Sequence, residues 1–269
     1  MMSERFGFGK NWSNFIALVG QDLIDLAEAT LRDMLGVNSL AGKRFINIGS
    51  GSGLFSLAAR NLGATVHSFD YDPDSVTATL AMKERFRADD ADWVIERGDA
   101  LDAEYMGKLG KFDIVYSWGV LHHTGSMWRG LELASALPES KGKLFIAIYN
   151  DQGRASKQWL LVKKAYNALP RSLRWMVVGP AMIRIWGPTT IRDIAMGRPF
   201  RTWREYSRIG KRGMSPWHDV LDWVGGLPFE VAKPEEIFDF HQERGFRLER
   251  LKTCAGGKGC NEFVFSRDL

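Results

Sequence analysis

The fold is decided by the stretch Phe45-Ile46-Asn47-Ile48-Gly49-Ser50-Gly51-Ser52-Gly53-Leu54-Phe55. An apolar strand pattern runs directly into three glycines at alternate positions, and a helical pattern follows. Glycine adopts positive φ and lets a ligand approach the backbone, while the start of the next helix presents unpaired N–H groups. The stretch predicts a strand, a turn and a helix. The turn either binds a ligand or is a tight connection without one.

The same alternation of strand and helix patterns continues on both sides of this stretch. Helical periodicity is predicted over 14–35, ended by Gly36, and again at 54–62, 73–86, 102–109 and 127–137, with Asp72 as the N-cap of the helix at 73–86. Strand patterns are predicted at 44–48, 65–69, 93–96, 112–116 and 144–148. Such alternation predicts an α/β fold, a Rossmann-like, doubly wound sheet of parallel strands. Near the end, a helix at 234–244 precedes two strands, 246–253 and 262–266, joined by a Gly-rich turn typical of an antiparallel hairpin.

Length and composition fit one enlarged domain. The 269 residues are 45% hydrophobic and 25% charged, which excludes disordered, collagen-like and coiled-coil chains. The pattern predicts four segments: an N-terminal arm and helix at 1–42, a core at 43–150, a mainly helical insertion at 151–233, and a closing helix and hairpin at 234–269. The insertion is too long for a connecting loop.

The insertion is basic. Although the whole chain carries a net charge of +4, residues 151–219 hold fourteen lysines and arginines against four acids. Arginines alternate with tryptophans there, a pattern that fits a helical lid with a basic outer face, an anionic membrane surface or nucleic-acid phosphates. No recognised nucleic-acid-binding module accompanies it, so nucleic acid is the weakest of the three. The sequence gives no indication of the oligomeric state.

The two cysteines, Cys254 and Cys260, are too few for a disulfide framework or a closed zinc site. No metal is expected. The first residues lack the apolar core of a secretory signal, and no apolar run is long enough for a bilayer. We therefore expect a cytoplasmic protein, with peripheral membrane contact only through the insertion.

Two aspartates follow the predicted second and third strands. Asp70 lies twenty-one residues after Gly49, where an acid can accept both hydroxyls of a ribose. Asp99 is placed to accept from an adenine amino group, although a helix N-cap or a loop turn explains it equally well. The dinucleotide fingerprint requires glycine where this chain has Leu54, so a pyrophosphate-binding dehydrogenase is disfavoured.

The glycine turn, Asp70 and Asp99 are followed along the chain by the stretch Phe112-Asp113-Ile114-Val115-Tyr116-Ser117-Trp118-Gly119-Val120-Leu121-His122-His123. Over 11–150 and 234–266 the chain resembles the class I S-adenosylmethionine-dependent methyltransferases, in the branch of the ubiquinone-biosynthesis methyltransferases. The resemblance implies a seven-stranded sheet in the order 3-2-1-4-5-7-6 with the last strand antiparallel. It also implies S-adenosyl-L-methionine as the cofactor.

The resemblance assigns cofactor contacts position by position. The glycines would line the methionine part, Asp70 the ribose, Asp99 and Ala100 the adenine, and Ser117 or Trp118 the sulfonium end. The complete predicted set is Asn47, Gly49, Ser50, Gly51, Gly53, Asp70, Tyr71, Asp99, Ala100, Ser117 and Trp118. One departure concerns Asn47, where family members usually carry an acid; asparagine still accepts a hydrogen bond but adds no charge.

The acceptor site is predicted from strand ends and the insertion. Methyl transfer mainly requires alignment, with a base when the acceptor is a hydroxyl. His218, beside Asp219 in the insertion, is the first candidate base, and Tyr149 and His123 are the others. Trp12, His122, Asn150 and Trp217 are the predicted substrate contacts. Local backbone hydrogen bonding would equally explain the histidines that follow the fourth strand, and strand-end packing would explain Tyr149 and Asn150.

Together these features predict methyl transfer from S-adenosylmethionine to an oxygen of a small-molecule, lipid-linked or glycan-linked acceptor, with the insertion forming the acceptor site or a lid. Two alternatives stay open. One is N- or C-methylation of RNA or a quinone precursor, and the other is a protein that binds the cofactor without catalysis. The aromatic arm at 6–12 would either fold over the cofactor or pack on the core.

Overall fold

The computed structural model describes residues 12, 15–17, 19–206 and 216–267, which build two compact units. Unit 1 contains the described residues up to Gln152 and from Pro228 onward. Unit 2 is Gly153–Leu227. Within the ranges that the structure describes, no helix combines the length and the apolarity needed to cross a bilayer.

A seven-stranded sheet forms the centre of unit 1. Its strands are β1 (Arg44–Ile48), β2 (Thr65–Asp70), β3 (Trp93–Arg97), β4 (Phe112–Trp118), β5 (Pro138–Tyr149), β6 (Phe246–Lys252) and β7 (Cys260–Arg267). They lie in the order β3-β2-β1-β4-β5-β7-β6, and β7 is antiparallel to both of its neighbours. The predicted doubly wound α/β fold and its strand order are confirmed.

The helices flank the sheet in unit 1 and build unit 2. They are α1 (Gln21–Leu35), α2 (Leu54–Asn61), α3 (Pro73–Arg87), α4 (Ala103–Lys108), α5 (Met127–Ser135), α6 (Arg154–Ala168), α7 (Trp175–Ala195), α8 (Arg201–Arg204), α9 (Pro216–Gly225) and α10 (Pro234–Gln242). Asp72 caps α3 as predicted, because its side chain accepts from the Asp74 N–H.

Among these predicted elements, two boundaries differ from the observed ones by more than two residues. The single helix predicted over 14–35 was wrong, since α1 begins at Gln21 after Gly20, whose extended backbone (φ −108°, ψ 176°) interrupts the helix. β5 begins at Pro138 instead of residue 144. The residues added at the start of β5 are mostly polar and several are exposed, so an apolar pattern could not reveal them. The register between β4 and β5 shifts within this added part.

Successive residues of the strands point to opposite faces of the sheet and supply two separate cores. Phe45 packs with residues of α1, α2 and α3, including Leu31 and Leu57. Its neighbour Ile46 packs with residues of α4, α5 and α10, including Leu131 and Ile237. Helices therefore cover both faces of the sheet, which leaves the carboxyl ends of its parallel strands for ligands.

Unit 2 has its own core, in which tryptophans predominate. Trp159, Val178, Trp186 and Val224 are buried together. Lys163 is also fully buried, and its ammonium donates to the Trp223 carbonyl, which joins α6 to α9. A buried charge with hydrogen-bond partners indicates a specific packing of these two helices.

Folding couples to pH through His241 in α10. Its buried ring stacks on Phe265, with 4.4 Å between the ring centroids, and Nδ1 donates to the Ile237 carbonyl. Burial lowers the pKa of this imidazole from 6.5 to about 4. Between pH 6.5 and about pH 4 the unfolded chain binds a proton at this histidine that the folded chain does not. The free energy of unfolding therefore decreases as the pH falls through this range.

We expect the free energy of unfolding of the wild type, relative to His241→Phe, to fall by about 3 kcal/mol between pH ~7 and pH ~4. Urea unfolding at a series of pH values measures this difference, and contributions from other titrating groups cancel between the two proteins. Parallel pH curves for the wild type and His241→Phe would contradict the assignment.

Candidate active site

The turn after β1 packs directly against the turn after β4. Gly49 has φ +75°, and a Cβ placed there would lie 2.4 Å from Cγ1 of Val120. No other residue type can occupy this position without moving the β4 turn. The contact brings the glycine turn and the segment that begins at Val120 to one edge of the sheet, where the parallel strands end.

Gly51 is constrained by its backbone and by its neighbours. Its φ is +56°, and its N–H donates to Oδ2 of Asp70 at 3.0 Å. A Cβ at Gly51 would lie 3.3 Å from the indole of Trp12, so this predicted substrate contact reaches the glycine turn. The rest of the aromatic arm, 6–11, lies outside the described residues.

Asp70 ends β2 with its carboxylate turned to the glycine turn. Oδ2 accepts from Gly51, and Oδ1 accepts from the Asp72 N–H at 3.0 Å. Burial raises the pKa of this carboxyl to about 6, although both backbone hydrogen bonds act to lower it. Each carboxylate oxygen can accept a second hydrogen bond, so the group can hold hydroxyl donors beside the glycines.

Asn47 is buried in β1, and the two ends of its side-chain amide differ in their hydrogen bonding. Nδ2 donates to Oγ of Ser56 at 2.8 Å, which itself accepts from Ser68. Oδ1 has no hydrogen-bond partner among the residues that the structure describes. A buried, unsatisfied acceptor beside the glycine turn suits a ligand that carries a donor such as an ammonium group.

Other predicted cofactor contacts already hold local hydrogen bonds. Asp99 accepts from the Leu101 N–H at 3.0 Å, and Ser117 donates to the Ile48 carbonyl at 3.2 Å. Tyr71 is exposed and Ala100 is buried. Their assigned roles at the ribose, the adenine and the sulfonium stay predictions, because an aspartate in a turn can serve both the loop and a ligand.

Three of the predicted acceptor-site residues lie in contact with one another. The ring of His122 lies 3.9 Å from that of Tyr149 and 4.6 Å from that of His123, measured between centroids. His122 is buried, and its Nδ1 accepts from the Tyr149 N–H at 3.3 Å. The structure therefore joins the turn after β4 to the end of β5 through packed aromatic rings.

His123 is held by a residue far along the chain. Its Nδ1 lies 2.7 Å from the carbonyl oxygen of Pro228. Because a carbonyl oxygen only accepts, Nδ1 must carry the proton, and Nε2 is the nitrogen with the lone pair in the neutral ring. The half-buried ring follows β4 and lies at the edge where the glycine turn also lies.

The segment 228–232, which sequence reasoning missed, lines this edge. The Glu230 N–H donates to the His122 carbonyl, and its carboxylate accepts from the Met127 N–H at 3.0 Å. Glu230 thereby caps the N-terminus of α5 from outside the helix, and burial raises its pKa. The Ala232 N–H donates to the Tyr149 carbonyl. No sequence motif marks this segment.

Asn150, predicted as a substrate contact, is engaged with the C-terminal hairpin. Its Nδ2 donates to the Gly257 carbonyl at 3.3 Å, and its Oδ1 accepts from Asn261 at 3.0 Å. Asn261 is buried and also accepts from the Cys254 N–H. The Asn150 side chain thus anchors the glycine-rich turn to β5; its role toward substrate stays a prediction.

Two predicted residues belong to α9 in unit 2. Trp217 is exposed. The side chain of His218, the first candidate base, lies outside the described part of the chain, and so does residue 215, which precedes the helix. Their assignments stay predictions, and the acceptor site is argued from unit 1 alone.

The sequence matches the model of a family described as a methyltransferase domain over residues 22–204, which is more than half of the chain. The chain belongs to this methyltransferase family. The match begins in α1 and ends in α8, so it includes the glycine turn, Asp70, and the histidines after β4.

Curated relatives point in the same direction. A ubiquinone biosynthesis O-methyltransferase of Xanthomonas oryzae is 28% identical over 181 residues, which cover 64% of this chain and 73% of the relative. A protein of the same name from Rhodopseudomonas palustris is 28% identical over 148 residues. This second match covers 55% of the chain and only 54% of the relative.

Solved structures share the fold. A magnesium protoporphyrin IX methyltransferase from Synechocystis, with bound SAH (S-adenosylhomocysteine), is 15% identical, with a TM-score of 0.53 and coverage of 92% of this chain and 83% of that chain. An O-methyltransferase family protein from Burkholderia thailandensis is 12% identical, with a TM-score of 0.56 and coverage of 92% and 56%. At these identities the likeness concerns the fold alone.

The predicted enzyme class and cofactor are confirmed: the chain is a methyltransferase that uses S-adenosylmethionine. The residues present fit that group, because the unsatisfied Asn47 oxygen suits an ammonium donor and the Asp70 carboxylate suits ribose hydroxyls. The three glycines themselves add no side chains to the turn, which favours a close approach of a ligand to their backbone.

Asp70→Asn should weaken binding of S-adenosylmethionine by about 1–3 kcal/mol, because the hydroxyl donors lose a charged acceptor. Since burial raises the pKa of Asp70 to about 6, wild-type affinity should also fall by up to about tenfold per pH unit below that value. Isothermal titration calorimetry at several pH values measures both effects.

Asp74→Asn is the control, because this exposed aspartate lies in the first turn of α3 and its loss removes a similar charge. It should keep the wild-type pH profile. If Asp70→Asn binds as tightly as the wild type and shows the same profile, Asp70 does not contact the cofactor.

Proposed function

We propose that the chain transfers a methyl group from S-adenosylmethionine to an oxygen of a small-molecule, lipid-linked or glycan-linked hydroxyl, with His123 as proton acceptor. The observation that carries the proposal is the 2.7 Å hydrogen bond from Nδ1 of His123 to the Pro228 carbonyl. When bound, the cofactor supplies an electrophilic methyl group on a sulfonium. The chain supplies orientation, exclusion of water and a base.

Proton balance requires the base. As the bond between carbon and oxygen forms and the bond between carbon and sulfur breaks, the acceptor hydroxyl releases one proton. Nε2 of His123 can take it, because Nδ1 is already protonated and paired with Pro228. The imidazolium that results keeps its hydrogen bond to the carbonyl, so the ring need not turn during turnover.

The neighbours of His123 hold the ring in place. The ring of Tyr149 lies 5.2 Å from that of His123 in an edge-to-face arrangement, and Phe229 lies 5.6 Å from Tyr149. Glu230 ties the same segment to α5 through the Met127 N–H. These contacts support a preorganised proton acceptor at the strand edge.

The names of the relatives support oxygen as the acceptor atom, since they are O-methyltransferases. The role of residues 151–233 as acceptor site or lid stays a prediction, as do the cytoplasmic location and the roles of Trp217 and His218. N- or C-methylation of RNA or a quinone precursor, and cofactor binding without catalysis, are the alternative outcomes of the next experiment.

The acceptor atom can be identified with S-adenosylmethionine carrying a ¹³C-labelled methyl group. Incubation with a panel of phenols, quinols, glycans, lipid-linked sugars and RNA should yield labelled product only with hydroxyl acceptors. The ¹³C shift of the product distinguishes an O-methyl from an N-methyl or C-methyl carbon. An N- or C-methyl signal would overturn the oxygen assignment, and cofactor binding without product from any panel member would favour the binding protein.

With an acceptor in hand, His123→Ala should lower kcat by about a hundredfold while the Kd for S-adenosylmethionine stays unchanged. Added imidazole should restore part of the rate, which a purely structural role would not permit. Tyr149→Phe, which keeps the packed ring and removes only the hydroxyl, is the matched comparison and should stay within about tenfold of the wild type. A fall of less than about tenfold in His123→Ala would assign the proton to another group, such as His218.

A further inference from the structure

One face of α7 is apolar and exposed. Met176, Ile183, Ile191 and Ile194 recur at helical spacing along it, and Ile183 and Ile191 are 74% and 69% exposed. The opposite face of the same helix packs in the core of unit 2 through Val178 and other residues. A helix with an apolar face on both sides requires an apolar environment on the outer one.

A groove of about 610 Å³ lies along the exposed face. Its walls are almost entirely apolar. They are formed chiefly by Met182, Ile183, Trp186, Ile191, Phe200 and Trp203. Trp186 is buried, and its Nε1 has no hydrogen-bond partner among the described residues.

Arginines surround a second cavity, of about 230 Å³, on the neighbouring short helix α8. Arg198, Arg201 and Arg204 line it together with Glu205. Glu205 pairs with Nε of Arg201 at 3.1 Å, and Arg204 donates to the Pro199 carbonyl. Three guanidinium groups against one carboxylate leave a net positive site whose planar donors match phosphate oxygens.

Residues of the apolar groove and of the basic cavity alternate along positions 200–204. Phe200 and Trp203 line the apolar groove, and each is followed directly by an arginine of the basic cavity. Phe200 has φ +57°, an unusual backbone for a bulky residue, and its ring is 53% exposed. Buried Asp193 fixes α8 by accepting from the Thr202 N–H at 2.7 Å.

We propose that unit 2 docks on the surface of a membrane that contains anionic phospholipids. Arg198, Arg201 and Arg204 contact lipid phosphates, and the exposed face of α7 and its groove lie among the acyl chains. This arrangement matches interfacial helices, whose apolar face enters the bilayer surface while arginines remain at the headgroups. Between Arg171 and Arg204 the chain carries seven arginines and one acid, which favours a negatively charged surface.

The same observations disfavour other occupants. A second copy of this face would bring like-charged arginine clusters together around the apolar contact, which is destabilising. A single free lipid would fill the groove but leave Met176 and Ile194 in water. The proposal concerns unit 2 alone and does not depend on the acceptor or on the base.

Sedimentation of the full-length protein with vesicles tests the proposal. We expect binding to vesicles of phosphatidylcholine with phosphatidylglycerol, at least tenfold weaker binding to phosphatidylcholine alone, and release at high salt. The double variant Arg198→Glu with Arg204→Glu, and separately Ile183→Asp with Ile191→Asp, should each reduce binding at least tenfold. All four positions are exposed, so folding should be retained.

Matched controls come from elsewhere in unit 2. Arg154→Glu with Lys157→Glu makes the same charge change as the arginine variant, and Leu161→Asp, at 66% exposure, introduces the same acidic side chain as the isoleucine variant. Both should bind vesicles like the wild type.

Three results would overturn the proposal. The first is equal sedimentation with neutral and anionic vesicles, or equal losses in the controls and the test variants. The second is binding of monomeric dodecyl phosphate without vesicle binding, which would assign the site to single soluble lipids. The third is concentration-dependent dimerisation abolished by Ile183→Asp with Ile191→Asp and no vesicle binding, which would assign the face to a second copy.

Discussion

The turn after β1 packs against the turn after β4 through Gly49 and Val120. This contact requires glycine at position 49, since a Cβ there would lie 2.4 Å from Val120. The 3₁₀ turn Leu121–His123 follows Val120 at once. The glycine turn and the histidines therefore lie at one edge of the same sheet, which places the proposed proton acceptor beside the proposed cofactor turn.

Chemistry at this edge also depends on the return of the chain after unit 2. The segment 228–232 pairs with the end of β5, orients His123 and caps α5. Any insertion between β5 and this segment is tolerated if its ends lie close together, since loop length itself costs little. Unit 2 has a hydrophobic core of its own.

Much of the fold follows from local pattern. The N-cap of α3 at Asp72 and the end of α1 at Gly36 agree with expectation, and so does the strand order, which the family resemblance implied. The predicted boundaries were wrong at the start of α1 and at the start of β5. The break at Gly20 leaves the apolar period of α1 unchanged, and the polar start of β5 lies where the register between β4 and β5 shifts.

By itself, the sequence determined the glycine turn, the acid at the end of β2 and the enzyme class, because these depend on residue types at fixed short spacings. Tertiary structure alone decided that His123 meets Pro228, 105 residues away, that Glu230 caps α5 and that Asn150 anchors the hairpin. A hydrogen-bond partner is chosen by where the chain returns in space. Periodicity reports only which face of an element is buried, so it cannot name that partner.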